Sequence, residues 1–143
     1  MDILRIDHLH VKGFDYEKAR EAYEQLMGRE FVIDLDFTDD QGTEVVYEPY
    51  PLGIELFNPT DPALTSGRLA SSSKPGVFAV SYKVPDIEKG IEEMEAMGYG
   101  CIEVFDFGDI KEAIFETYET FGFYVELISY PGDSITEVYN NVE

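Results

Sequence analysis

The chain has a single cysteine, Cys101, in 143 residues. No disulfide can form within it, and a reducing cytoplasm is the expected compartment. Tryptophan is absent, so ten Tyr and ten Phe supply the aromatic surface. Bases are scarce: ten Lys and Arg stand against thirty Asp and Glu, a formal charge of −20. Phosphate-backbone binding needs clustered Lys and Arg, so no nucleic-acid partner is expected. An anionic membrane surface is disfavoured for the same reason. No apolar run approaches the roughly 20 residues that span a bilayer. The opening Met1-Asp2-Ile3-Leu4-Arg5 lacks the basic-then-apolar form of a secretion signal. The acidic field suits a cationic or neutral ligand, or a metal ion, better than a polyanion. The plainer use of so many acids is solubility or adaptation to salt.

What is present is a repeat. The strand-like Gly53-Ile54-Glu55-Leu56-Phe57 returns as Tyr124-Val125-Glu126-Leu127-Ile128, with Glu126 lying 71 positions after Glu55. The same shift lays Asp7-His8-Leu9-His10-Val11-Lys12 on Phe78-Ala79-Val80-Ser81-Tyr82-Lys83. It also lays Asp15 on Asp86, and Glu17-Lys18 on Glu88-Lys89. The Met27-Gly28 and Met97-Gly98 pairs match at 70, as after one deletion. The chain is therefore one domain, 1–143, made of two copies of one unit, modules 3–58 and 76–130.

Each unit reads strand, helix, then three strands. Asp15, and in the second unit Asp86 or its neighbour, are the expected helix N-caps. Ala19, Ala22, Tyr23 and Leu26 in the first helix, and Ile87, Ile91 and Met94 in the second, have the spacing of a buried face. Gly28 and Gly98 stop these helices. Segments 31–37, 43–47 and 53–57 alternate as strands, as do 100–105, 110–116 and 122–129. Asp34 and Asp36 fall on the solvent side of that alternation. Residues 59–75, with Ser71-Ser72-Ser73 and little that would pack, read as a linker between the modules.

The order and spacing of three features resemble the vicinal oxygen chelate superfamily: Ile6-Asp7-His8 on the first strand, Ile54-Glu55-Leu56, and Val125-Glu126-Leu127. The Glu119-Thr120-Phe121-Gly122 turn loosely follows the superfamily's pattern before its last strand. Its members include glyoxalase I, extradiol dioxygenases, methylmalonyl-CoA epimerase and the bleomycin resistance proteins. The resemblance implies an α+β fold in which two tandem βαβββ modules form a cupped, barrel-like mixed sheet. It also implies a homodimer and a small-molecule ligand. Carried over, the superfamily's four ligand positions are His8, Glu55, Ala79 and Glu126. His8, Glu55 and Glu126 suit a divalent ion such as zinc, manganese, nickel, cobalt or iron. Ala79 coordinates nothing, so only the first module keeps a histidine opposite its own glutamate. That departure makes extradiol cleavage less expected. His10, on the same strand face as His8, is either a substitute ligand or a base.

Two functions follow. The first is a metal-dependent isomerase or lyase acting on a small carbonyl or carboxylate metabolite through a stabilised enolate. Glu55, Glu126 or His10 would be its base, and Phe57, Ala79, Ser81, Tyr124 and Ile128 would line its pocket. The second is a metal-free protein that binds a cationic antibiotic, as the bleomycin resistance proteins do, and which the acidic charge and Ala79 both favour. A dioxygenase-related member with a degenerate site is the third alternative.

Overall fold

The computed structural model describes residues 1–136 and 138. The first repeat provides strand β1 (Arg5–Lys12), helix α1 (Tyr16–Met27), and strands β2 (Ile33–Phe37), β3 (Thr43–Glu48) and β4 (Ile54–Pro59). A helix α2 (Thr65–Ser72) follows. The second repeat provides β5 (Gly76–Lys83), α3 (Ile87–Ala96), β6 (Cys101–Asp106), β7 (Lys111–Phe115), the short α4 (Tyr118–Phe121) and β8 (Tyr124–Ser129). The eight strands join one mixed sheet in the order β2-β3-β4-β1-β5-β8-β7-β6. Within it, each repeat has the same internal order, with its first strand parallel to its last and the others antiparallel.

Local chemistry explains the helix ends. Asp15 and Asp86 are extended residues whose carboxylates accept from the backbone N–H groups of Lys18 and Lys89. Gly28 takes φ +74 after α1, a left-handed conformation that costs a side-chain-bearing residue more than glycine.

The chain forms two compact units. One comprises Met1–His8, Pro49–Pro51 and the chain from Ala79 onward; the other comprises Leu9–Glu48 and Leu52–Phe78. In the first unit, Ile87 and Met94 of α3 pack with Val84, Phe115, Val125 and Leu127, and Ile91 covers them. In the second, Val11, Phe31, Val46 and Leu56 are covered by Tyr16, Ala19, Tyr23 and Met27. The packed face of α1 is thus rotated from the expected stripe. Ala22 is exposed and Leu26 is 81% exposed. The aromatic residues at positions 16 and 23 reach the core, and the helix turns to place them there. Asp34 and Asp36 are exposed, as their alternation requires.

The 59–75 segment departs from its reading as a linker with little to pack. It contains α2, whose Leu69 and Ala70 are buried, at 2% and 0% exposure. Two apolar side chains between serines gave too weak a period to reveal it. Lys12 of β1 fixes its C-terminal end, donating from Nζ to the carbonyls of Ala70, Ser71 and Ser73. A cation there complements the helix dipole.

Glu48 belongs to the same unit. It is buried, it holds the half-exposed Arg29 guanidinium in a two-pronged ion pair, and it accepts from the Val32 backbone N–H. Glu48→Ala removes an acceptor from that N–H and is expected to cost about 1–2 kcal/mol. Urea unfolding measures it, and an unchanged midpoint would show that water replaces the carboxylate without loss.

Candidate metal centre

The first half of β1 carries Asp7 and His8. Adjacent residues on a strand face opposite ways, yet both are buried, at 1% and 2% exposure, so both faces of β1 are covered here. The His8 ring turns back so that Nδ1 lies 2.9 Å from Asp7 Oδ2. Its Nε2 lies 3.7 Å from Glu126 Oε1 on β8. Glu126 is 2% exposed, and Ser81 Oγ on the neighbouring β5 donates to its Oε1 at 2.9 Å.

Asp7 is held from behind as well. Its Oδ1 accepts from the Tyr130 hydroxyl and, at 3.4 Å, from Arg5 Nη2. Burial would raise the Asp7 pKa, but bonds from His8 and Tyr130 and the charge of Arg5 together hold it below the usual carboxylate range. Burial, then the bond to that anion, pushes the Tyr130 phenol well above its ordinary value, so it stays a donor.

In the other unit, the rest of β1 carries His10, which is 5% exposed. Its ring stacks on Phe57 at 4.9 Å between centroids and meets the edge of Phe78 at 5.9 Å. Its Nε2 lies 3.7 Å from Glu55 Oε1. Strand register explains this contact: His10 stands directly opposite Glu55 in the parallel β1/β4 ladder. The equivalent pair in the second repeat, 71 positions on, is Ser81 opposite Glu126. Each repeated glutamate therefore faces a polar residue on its own module's first strand. In the first module that residue is His10, which corrects the reading that put His8 opposite Glu55.

His8 and Glu126, in one unit, are two buried donors whose nearest ligand atoms lie 3.7 Å apart. His10 and Glu55 form a second such pair in the other unit. An imidazole and a carboxylate, both buried, are donors that suit a borderline divalent ion. Asp7 on His8 and Ser81 on Glu126 give each of the first pair an orienting partner, as ligand side chains usually have. The residues present therefore fit a metal ion.

The remaining expected pocket residues lie in their own units. Ala79 is fully buried opposite Tyr124, whose ring leans on Tyr118 at 5.0 Å. Ile128 is fully buried opposite Lys83 and Glu112. A separate depression of about 170 Å³, lined by Met1, Asp2, Pro85, Asp86 and Lys89, contains none of these groups. Burial pushes the Cys101 thiol above its ordinary range, helped by Glu95. In the sequence Asp7 stands out only as part of Ile6-Asp7-His8, and Arg5 and Tyr130 do not stand out. An acid directly before a histidine was the available signal for Asp7. Nothing in the sequence placed Tyr130 beside it.

No protein-family model matches the sequence, and no curated protein matches it significantly. Solved structures do match it. Methylmalonyl-CoA epimerase from Mycobacterium tuberculosis aligns over 91% of this chain and 90% of its own, with TM-score 0.72 and 18% identity. A variant of the Streptomyces coelicolor epimerase, in complex with 2-nitronate-propionyl-CoA, aligns over 92% and 100%, with TM-score 0.72 and 16% identity. A hypothetical protein from Bacillus halodurans aligns over 90% and 96%, with TM-score 0.72 and 17% identity. At such identities the likeness establishes the fold, the paired βαβββ arrangement of the vicinal oxygen chelate type, and nothing finer.

Proposed function

We propose that this chain is a divalent-metal-dependent enzyme of isomerase type that moves a proton at a carbon next to the carbonyl of a small metabolite. The observation that carries this reading is the buried pair His8 and Glu126, with Asp7 and Ser81 orienting its two members. Those two side chains would hold the ion. When bound, it supplies an electrophile that offsets negative charge developing on a substrate oxygen. Glu55 is the proposed proton acceptor, since its carboxylate is only partly exposed and lies beside His10 Nε2. Phe57 and Phe78, packed about the His10 ring, keep water from that side. The epimerase neighbours support proton exchange over bond cleavage, so isomerase is preferred to lyase.

The neighbours' ligand is a CoA derivative. A chain of formal charge −20 repels a nucleotide-tailed thioester, so a small carbonyl or carboxylate compound is the preferred substrate. A homodimer in a reducing cytoplasm completes the proposal.

The test begins with metal analysis of protein purified without chelator. Deuterium exchange at the α-carbon of methylmalonyl-CoA and of a panel of small 2-oxo and 2-hydroxy acids is then followed by NMR. Near-stoichiometric ion is expected, with exchange lost on chelation and restored by zinc, manganese, nickel or cobalt. No ion above trace, with unfolding temperature unmoved by added metal, overturns the reading. Ala79, which offers no donor, would then favour the second one, a binding protein for a cationic compound. Its signature is salt-sensitive binding that ignores chelator.

A further inference from the structure

We infer that the C-terminal half of α2 is a lid at one end of the strand face that carries His10 and Glu55, and that Lys12 is its fastener. The inference rests on the reading of Glu55 as proton acceptor only for what the lid admits.

Strand parity places the helix. Val11 and Leu56 lie under α1, in the cluster covered by Tyr16, Ala19 and Tyr23. Their strand neighbours His10, Lys12, Glu55 and Phe57 therefore belong to the opposite face of β1 and β4. The stacking of the His10 ring on Phe57 agrees with that side. α2 packs on β4, and Lys12 reaches from this face to the carbonyls of Ala70, Ser71 and Ser73. Within this unit α1 covers one face of the strands, and α2 lies at the Lys12 end of the other.

The two halves of α2 are held differently. The first half is wedged against the turn before β3. The Gly67 N–H donates to Gln41 O at 2.8 Å, and Ser66 Oγ donates to the Gln41 side-chain oxygen at 3.1 Å. The second half is gripped at its carbonyls by the end of one flexible side chain, Lys12 Nζ. Eight residues make about two turns, too few to persist in water without tertiary support. Leu64 stands at the N-cap and offers no capping oxygen, and the chain leaves through an extended Ser73 rather than a left-handed glycine. The ammonium meets the negative end of the helix dipole, so its removal loosens the second half first. What lies along the same face is dry: His10, Phe57 and Phe78 are all buried. A helix hinged on backbone at one end and tied by an ammonium at the other is a means of opening that face.

The test uses chelator-treated protein. Diethyl pyrocarbonate modifies accessible imidazole, and the chain has two histidines, so tandem mass spectrometry reads the rate at each. In Lys12→Met, His10 is expected to react on the order of 10-fold faster or more than in wild type, the equivalent of one charge-assisted hydrogen bond. His8 belongs to the other unit and is expected to keep its rate. Should Lys12→Met fail to fold, hydrogen exchange of the wild type is read in its place. The amides of Arg68 to Ser72 are then expected to exchange through a local opening that low urea leaves unchanged, while those of β4 exchange faster as urea is raised. An unchanged His10 rate overturns the inference. So does a rise shared equally by His8, or exchange of amides 68–72 by global unfolding alone. No metal or substrate enters either measurement, so the lid stands or falls apart from the metal centre.

Discussion

Glu126→Gln is expected to weaken divalent-ion binding by on the order of 100-fold or more while leaving the ion-free chain about as stable as before. The two halves of this prediction have different causes. Orienting partners of metal ligands are worth roughly 10- to 100-fold in affinity, and Glu126 is placed here as a direct, charged ligand. Its amide replacement loses the anion and most of the ligand strength. For the fold, the substitution is mild. Glu126 is 2% exposed, so an anion must be kept out of water whenever no metal is present. Glutamine has the same shape, and its carbonyl still accepts from Ser81 Oγ. A change in unfolding free energy of no more than ~1 kcal/mol is expected. Isothermal titration with zinc and urea unfolding of the chelated protein measure the two halves. A large loss of stability with unchanged ion binding would make Glu126 a structural partner of Ser81 and remove it from the centre.

Which parts of this arrangement the sequence disclosed depends on how far apart the determining residues lie. Capping at Asp15 and Asp86 involves partners three residues on, so the first cap is legible and the second is legible to within a residue. The repeat was legible because both copies keep the same residue types at one offset. Register was not. The β1/β4 pairing joins strands separated by a helix and a hairpin, and alternation fixes which face a side chain takes but not which residue it meets. His8 and His10 share a face, so nothing local decided that His10 would meet Glu55. The structure decides it, and His8 turns instead toward Glu126. Asp7 illustrates a second gap. Its neighbours in the site, Arg5 and Tyr130, come from opposite ends of the chain. Their meeting depends on the β5/β8 half of the fold, which brings the end of β8 back to the start of β1.

Gly67→Ala is the substitution expected to damage the fold most, and it tests the segment that appeared to be a linker. A Cβ built on Gly67 would lie 2.0 Å from the Asp61 carbonyl oxygen and 2.7 Å from that of Gly42. Both obstacles are backbone, so no side chain can swing aside. Three segments converge there. Gly67 donates its own N–H to Gln41 O at 2.8 Å, and the N–H groups of Thr60 and Asp61 bond to Gly42 O at 2.7 and 3.1 Å. Gly42 has φ +74, and a Cβ built on it would lie 2.3 Å from Asp61 O. Relieving the clash means moving α2 away from the turn before β3, which unpacks Leu69 and Ala70 and draws the α2 C-terminus off Lys12. Overpacking a core side chain costs about 1–3 kcal/mol. A clash against fixed backbone belongs at or above the top of that range, so a loss of about 3 kcal/mol or more is expected. Gly100→Ala is the control, since a Cβ there meets nothing within 4 Å. Urea unfolding of the two variants beside the wild type gives the comparison. If Gly67→Ala and Gly100→Ala unfold at the same midpoint, α2 is not a packed part of its unit.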